Sequence, residues 1–217
     1  IYVCRSAAKD PNKRKNLLFI NNGDLTFTEK GEEYGVDDSG YSTQGAFFDY
    51  DKDGDLDLYV LNHSTQEYAG LGKISRHHKK QKNKSYSDKL MRNDNGKFVD
   101  VSDEAGLISN ILGFGLGIAV SDLNNDSWLD LYISNDYNEQ DYLYLNNGDG
   151  TFSEQLEDYI GHVSLYSMGS DIADINNDGL TDTFELTESS TNPFNPDHDD
   201  DGIRDDTDNC RLVSNAN

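Results

Sequence analysis

The chain has 217 residues, with 41 acidic against 18 basic side chains and a formal charge of −23. That charge repels phosphate backbones and argues against a nucleic-acid role, and no run of 18 apolar residues is present to span a membrane. Only 35% of the residues are hydrophobic, yet 13 Tyr and 9 Phe are too many for a disordered acidic chain, and two Cys cannot build a disulfide framework.

In chain order, the first legible element is a hairpin. Leu17 to Ile20 is apolar, Asn21-Asn22-Gly23-Asp24 is a turn, and Thr26-Phe27-Thr28-Glu29 reads as the returning strand. The same unit returns at Lys89 to Gly96, followed by Lys97-Phe98-Val99-Asp100. It returns again at Asp141 to Asp149, followed by Thr151-Phe152-Ser153-Glu154.

An acidic cluster follows the first hairpin, with Asp49, Asp51, Asp53, Asp55 and Asp57 around Gly54. It reads D-x-[DN]-x-D-[GS]-x-x-D. Side-chain oxygens at positions one, three, five and nine, with the backbone carbonyl of position seven, can converge on one cation. A small residue at position six permits the sharp turn. The second cluster is Asp122, Asn124, Asp126, Trp128 (through its carbonyl) and Asp130. There Ser127 replaces the glycine and Trp128 follows, which predicts a strained turn or a weakly held ion. The third is Asp174, Asn176, Asp178, Leu180 (through its carbonyl), Asp182 and Glu185. The fourth is Asp197, Asp199, Asp201, Ile203 (through its carbonyl), Asp205 and Asp208. Oxygen donors without His or Cys at ligand spacing select a hard cation, and Ca²⁺ tolerates the irregular geometry; about four ions are expected. Position twelve divides the clusters. Val60 and Ile133 lie in apolar strand-like runs, so the first two loops are expected between strands. Glu185 gives the third an EF-hand-like pattern.

Hairpins and clusters move together. Gly23 to Gly96 and Asp49 to Asp122 are both 73 residues; Gly96 to Gly148 and Asp122 to Asp174 are both 52. One unit of about 50 residues therefore repeats, and its four short strands suit a β-propeller blade. The longer interval carries an insert near 64–87, where Lys73, Arg76, Lys79, Lys80, Lys82 and Lys84 stand without an acid between them. Such a run is a solvated loop or a contact for an acidic glycan or the acidic tail.

Residues 1–186, above all Asn16 to Glu29 together with Phe47 to His63, resemble the FG-GAP/VCBS repeats of integrin-α-like β-propellers, most closely the secreted ones related to cartilage acidic proteins. Thr191 to Cys210 resembles a thrombospondin type 3 repeat. The fold class expected is all-β: a partial propeller of four-stranded blades over 1–186, then an irregular Ca²⁺-wrapped tail over 187–217, with residue 174 as the alternative start. Ile1-Tyr2-Val3-Cys4 aligns with Leu58-Tyr59-Val60-Leu61, so the chain opens on a blade's second strand. Three-quarters of a blade, two full blades and half a blade are expected, with open edges for further blades or chains to cover.

The resemblance implies an extracellular or cell-surface adhesion or recognition module, with Ca²⁺ structural and a protein or acidic glycan as ligand. The alternatives are a Ca²⁺-dependent polysaccharide lyase and a spacer in a large surface protein. No catalytic residue is singled out. The pairing of Cys4 and Cys210 is left open.

Overall fold

A computed structural model describes residues 1–65, 81–137, 139–160, 164 and 166–173. Among the described residues there are three antiparallel sheets. The first joins β1 (Tyr2–Val3), β2 (Leu17–Asn21) and β3 (Phe27–Glu29) in that order. The second joins β4 (Ser42–Phe48), β5 (Asp57–Asn62), β6 (Lys89–Asn93) and β7 (Phe98–Asp100). The third joins β8 (Gly115–Ser121), β9 (Asp130–Asn135), β10 (Tyr142–Asn146) and β11 (Phe152–Glu154). Each sheet is a meander, so neighbours in sequence pair in space. The expected three strands followed by two four-stranded blades are therefore present. The expected half-blade falls mostly outside the described residues. Among the described residues no helix is long and apolar enough to cross a membrane.

The second and third blades match position by position. Phe48 pairs with Asp57 at the acidic end of β4–β5, and Ser121 with Asp130 at the acidic end of β8–β9. At the other end both first strands carry a bulge, between Ser42 and Gln44 and between Gly115 and Gly117. Cys4, expected within a strand, lies just past the end of β1 and is partly buried.

Blades stack face to face because strand side chains alternate. On β5, Leu58 and Val60 pack toward the first sheet with Leu18, Val36, Met91 and Phe98. Tyr59 and Leu61 pack the other way, with Leu131, Ile133, Tyr142 and Tyr144 of the third sheet. All six residues of β5 are buried, which is why its sequence is nearly continuously apolar. Close approach of the first strands needs glycine. A Cβ on Gly45 would stand 2.8 Å from the ring of Tyr2, and one on Gly117 would stand 2.8 Å from the Cα of Gly169.

The hairpin turns follow their sequences. Between β6 and β7, Asn95 and Gly96 have φ of 56° and 86°, the paired left-handed conformation of a tight hairpin, closed by Asp94 N–H on the Lys97 carbonyl at 2.8 Å. The longer turns at Asn22–Thr26 and Asn147–Thr151 are alike. In each, Asp24 or Asp149 accepts the backbone N–H and the hydroxyl of the threonine two residues on. Leu25 holds φ 69°, where the third blade places Gly150.

A clasp recurs in each blade and, at the first and third, reaches on to a serine beyond it; the sequence reading missed it. Asn16, Asp88 and Asp141 occupy one repeat position, just before β2, β6 and β10. Each meets the tyrosine of the neighbouring strand, Tyr2, Tyr59 or Tyr132, at 2.8–3.0 Å. Each also accepts a backbone N–H, from Arg5, Asn62 or Asn135. Asn16 donates to Ser42 Oγ of the next blade, and Asp141 accepts from Ser167. The middle clasp has Gly115 at the serine position, because the side chain of Leu61 fills the space a Cβ would need.

Candidate cation-binding loops

Loop one connects β4 to β5 and loop two connects β8 to β9, as strand-flanked acidic loops should. Their backbones fold alike. Position four is left-handed in both, Lys52 at φ 60° and Asn125 at φ 59°, and so is position six, Gly54 at 93° and Ser127 at 73°. Position one caps the turn in both. Asp49 Oδ2 accepts the Gly54 N–H at 3.1 Å, and Asp122 Oδ2 accepts the Ser127 N–H at 2.7 Å. Position nine is buried in both and bridges two strands. Asp57 accepts N–H groups from Tyr50 (3.1 Å) and Asn93 (2.8 Å), and Asp130 accepts them from Leu123 and Asn146 (both 2.8 Å).

The expected strain at Ser127 is thus a positive φ at a residue with a side chain, worth about 1–2 kcal/mol. Ser127→Gly removes it, and the greater entropy of an unfolded glycine returns about 0.5–1 kcal/mol. A net gain of about 0.5–1 kcal/mol is expected in urea unfolding, with unchanged slope. A variant no more stable than the parent overturns this account of the turn.

Loop one brings Asp49, Asp51 and Asp57 together, with one oxygen of each within 4.8 Å of the others. Asp49 Oδ1 is buried without a hydrogen-bond partner. A buried carboxylate oxygen with no donor is costly, and a cation supplies what is missing. Burial pushes the Asp57 carboxyl up to about 6, against the pull of its two backbone N–H partners. Asp51 is also raised, first by burial and then by the charge of Asp53. Asp53 does not join the group; its Oδ1 accepts the Asp55 N–H at 2.8 Å.

In loop two, Asp130 is likewise pushed up to about 6 by burial. Asn124 Nδ2 donates to Asp126 Oδ2 at 2.9 Å, and Asp126 Oδ1 accepts the Trp128 N–H at 2.8 Å. The chemistry of both donor sets, carboxylates and amides with peptide carbonyls, fits a hard divalent cation.

Sequence reasoning missed two contributors. Asn93 and Asn146 follow Asp57 and Asp130 across the sheet and donate to the position-eight carbonyls of Leu56 (3.1 Å) and Leu129 (3.3 Å). The signal was their shared hairpin position. Lys52 was passed over as well; its Nζ lies 3.9 Å from the centroid of the Trp128 ring. In the insert, Lys82 forms an ion pair with Asp103. Lys73, Arg76, Lys79 and Lys80 lie outside the described residues, as do the clusters Asp174–Glu185 and Asp197–Asp208, the tail from 187 and Cys210.

The sequence matches the FG-GAP-like repeat family over residues 2–60 and 122–184, stretches that together cover more than half of the chain. No curated protein matches it.

Proposed function

This chain belongs to the FG-GAP-like repeat family, and we propose that it is an extracellular adhesion or recognition module whose blades are fixed by Ca²⁺. The observation that carries the calcium reading is the buried, unpartnered Oδ1 of Asp49 beside the carboxylates of Asp51 and Asp57. Loop two repeats the same turn with Asp122, Asn124, Asp126 and Asp130. The carbonyls of Asp55 and Trp128 are the position-seven ligands in this reading.

The clusters at Asp174, Asn176, Asp178, Leu180, Asp182 and Glu185, and at Asp197, Asp199, Asp201, Ile203, Asp205 and Asp208, carry the same spacing, so about four ions per chain are proposed. The last is assigned to a thrombospondin type 3-like tail that wraps its ion with little core. Millimolar calcium outside the cell saturates even weak sites of this type, which supports the extracellular assignment. The ligand is proposed to be a protein or an acidic glycan, the latter met by the basic insert, and further blades or a second chain cover the open strand edges. Binding rather than turnover is proposed because the loop carboxylates are committed to capping their own turns and to the cation.

Calcium bound per chain, counted by elemental analysis after equilibration in millimolar calcium, tests the reading. About four ions are expected, and about two fewer when Asp49→Ala and Asp122→Ala are combined. A chain that retains none overturns it.

A further inference from the structure

We infer that loops one and two take up their cations cooperatively, with Asn146 as the positioning residue that couples them, an inference that rests on the calcium reading above. Asn146 ends β10 and is 3% exposed. Its side-chain amide donates to the Tyr50 carbonyl in loop one at 2.8 Å and to the Leu129 carbonyl in loop two at 3.3 Å. Its backbone N–H donates to Asp130 Oδ1 at 2.8 Å. Its own Oδ1 accepts the Gly148 N–H at 2.9 Å, which fixes the orientation of the amide. One side chain therefore holds a peptide of each loop, although Tyr50 and Asn146 are 96 residues apart.

The position of Tyr50 gives this bridge its consequence. The residue stands between Asp49 and Asp51, and its N–H donates to Asp57 Oδ2 at 3.1 Å. A cation that gathers those three carboxylates immobilises the Tyr50 peptide. The Asn146 amide follows, and with it the Leu129 carbonyl and Asp130 of loop two. Lys52 adds a second tie. It sits at position four of loop one and lies over the Trp128 ring, at position seven of loop two. The indole in turn lies against the β10–β11 turn, where a Cβ on Gly148 would come within 3.0 Å of it. The first cation thus orders part of the second site, and the second ion meets a smaller ordering cost. The coupling is reciprocal by linkage.

Trp128 is the chain's one tryptophan, so its fluorescence reports loop two during calcium titration of the full chain. Asp49→Asn, which disables loop one, is expected to raise the calcium midpoint seen by Trp128 about five-fold or more. In an Asn146→Ala background that dependence is expected to shrink to within about two-fold. Lys52→Asn keeps the left-handed turn that Asn125 occupies in loop two, and serves if Asn146→Ala does not fold. With it the dependence is expected to fall by at least about half. A Trp128 midpoint indifferent to Asp49→Asn overturns the coupling, as does a Trp128 signal silent to calcium in a chain that binds it. Calcium uptake measured on the same samples separates these results from failure of the calcium reading, since a chain that binds none overturns both.

Discussion

Calcium added to the metal-free chain is expected to raise its melting midpoint by roughly 15–30 °C. Without the ion, loop one holds three carboxylates with oxygens inside 4.8 Å and leaves one buried oxygen without a donor. The unfolded chain relaxes that crowding, so the metal-free fold carries the cost alone. An ion bound only by the folded state stabilises it by about 4 kcal/mol per site at a thousand-fold excess over Kd, hence about 8 kcal/mol for two loops. Each kcal/mol moves the midpoint of a domain this size by about 2–4 °C. A chelator reverses the rise. Combining Asp49→Ala with Asp122→Ala is expected to remove this rise, and any calcium-dependent rise that remains is ascribed to the proposed sites within residues 174–208. Identical melting with calcium and with chelator would falsify the structural role of the ion.

The repeat was legible because its two marks, the Asn-Gly hairpin and the acidic loop, keep the same interval and depend on local chemistry. A left-handed Asn-Gly turn and a carboxylate accepting an N–H a few residues on are decided within one short segment. The separation of Asp53 from Asp49, Asp51 and Asp57 was not legible, since spacing alone does not say which carboxylates turn inward. Nor were the contacts that cross the sheets. Asp88 meets Tyr59 only after β5 and β6 pair, and Asn146 meets Tyr50 only after the second and third sheets pack together. Alignment of the repeats nonetheless held the clue: Asn16, Asp88 and Asp141 share one place, and Tyr2, Tyr59 and Tyr132 share another. The departure at Gly115 has a physical origin in Leu61, whose side chain occupies the space that a serine there would claim.

The middle clasp predicts a pH dependence of its own. Asp88 accepts the Asn62 N–H at 2.8 Å and the Tyr59 hydroxyl at 3.0 Å, but the next blade offers Gly115 where its sister clasps find a serine. Burial pushes its carboxyl up to about 7, and these two donors only partly oppose the shift. The folded state therefore holds a proton on Asp88 that the unfolded chain releases near pH 4. Between about pH 4 and 7 the folded state binds the extra proton, so stability falls as pH rises through that window and the full cost is present above it. A shift of about three pH units corresponds to about 4 kcal/mol. Asp88 is only partly buried and borders an open cavity, so solvent discounts that figure and about 2 kcal/mol is expected. Asp88→Asn should then stabilise the fold by about 2 kcal/mol at pH 8, change it little at pH 4, and flatten the slope between them. The first clasp supports that substitution, because Asn16 fills the same place by donating to Tyr2 and accepting from Arg5. Urea unfolding of both proteins across pH 4 to 8 decides it. A variant that keeps the parental slope, or is weaker at pH 8, would show that Asp88 is ionised and well held by its two donors.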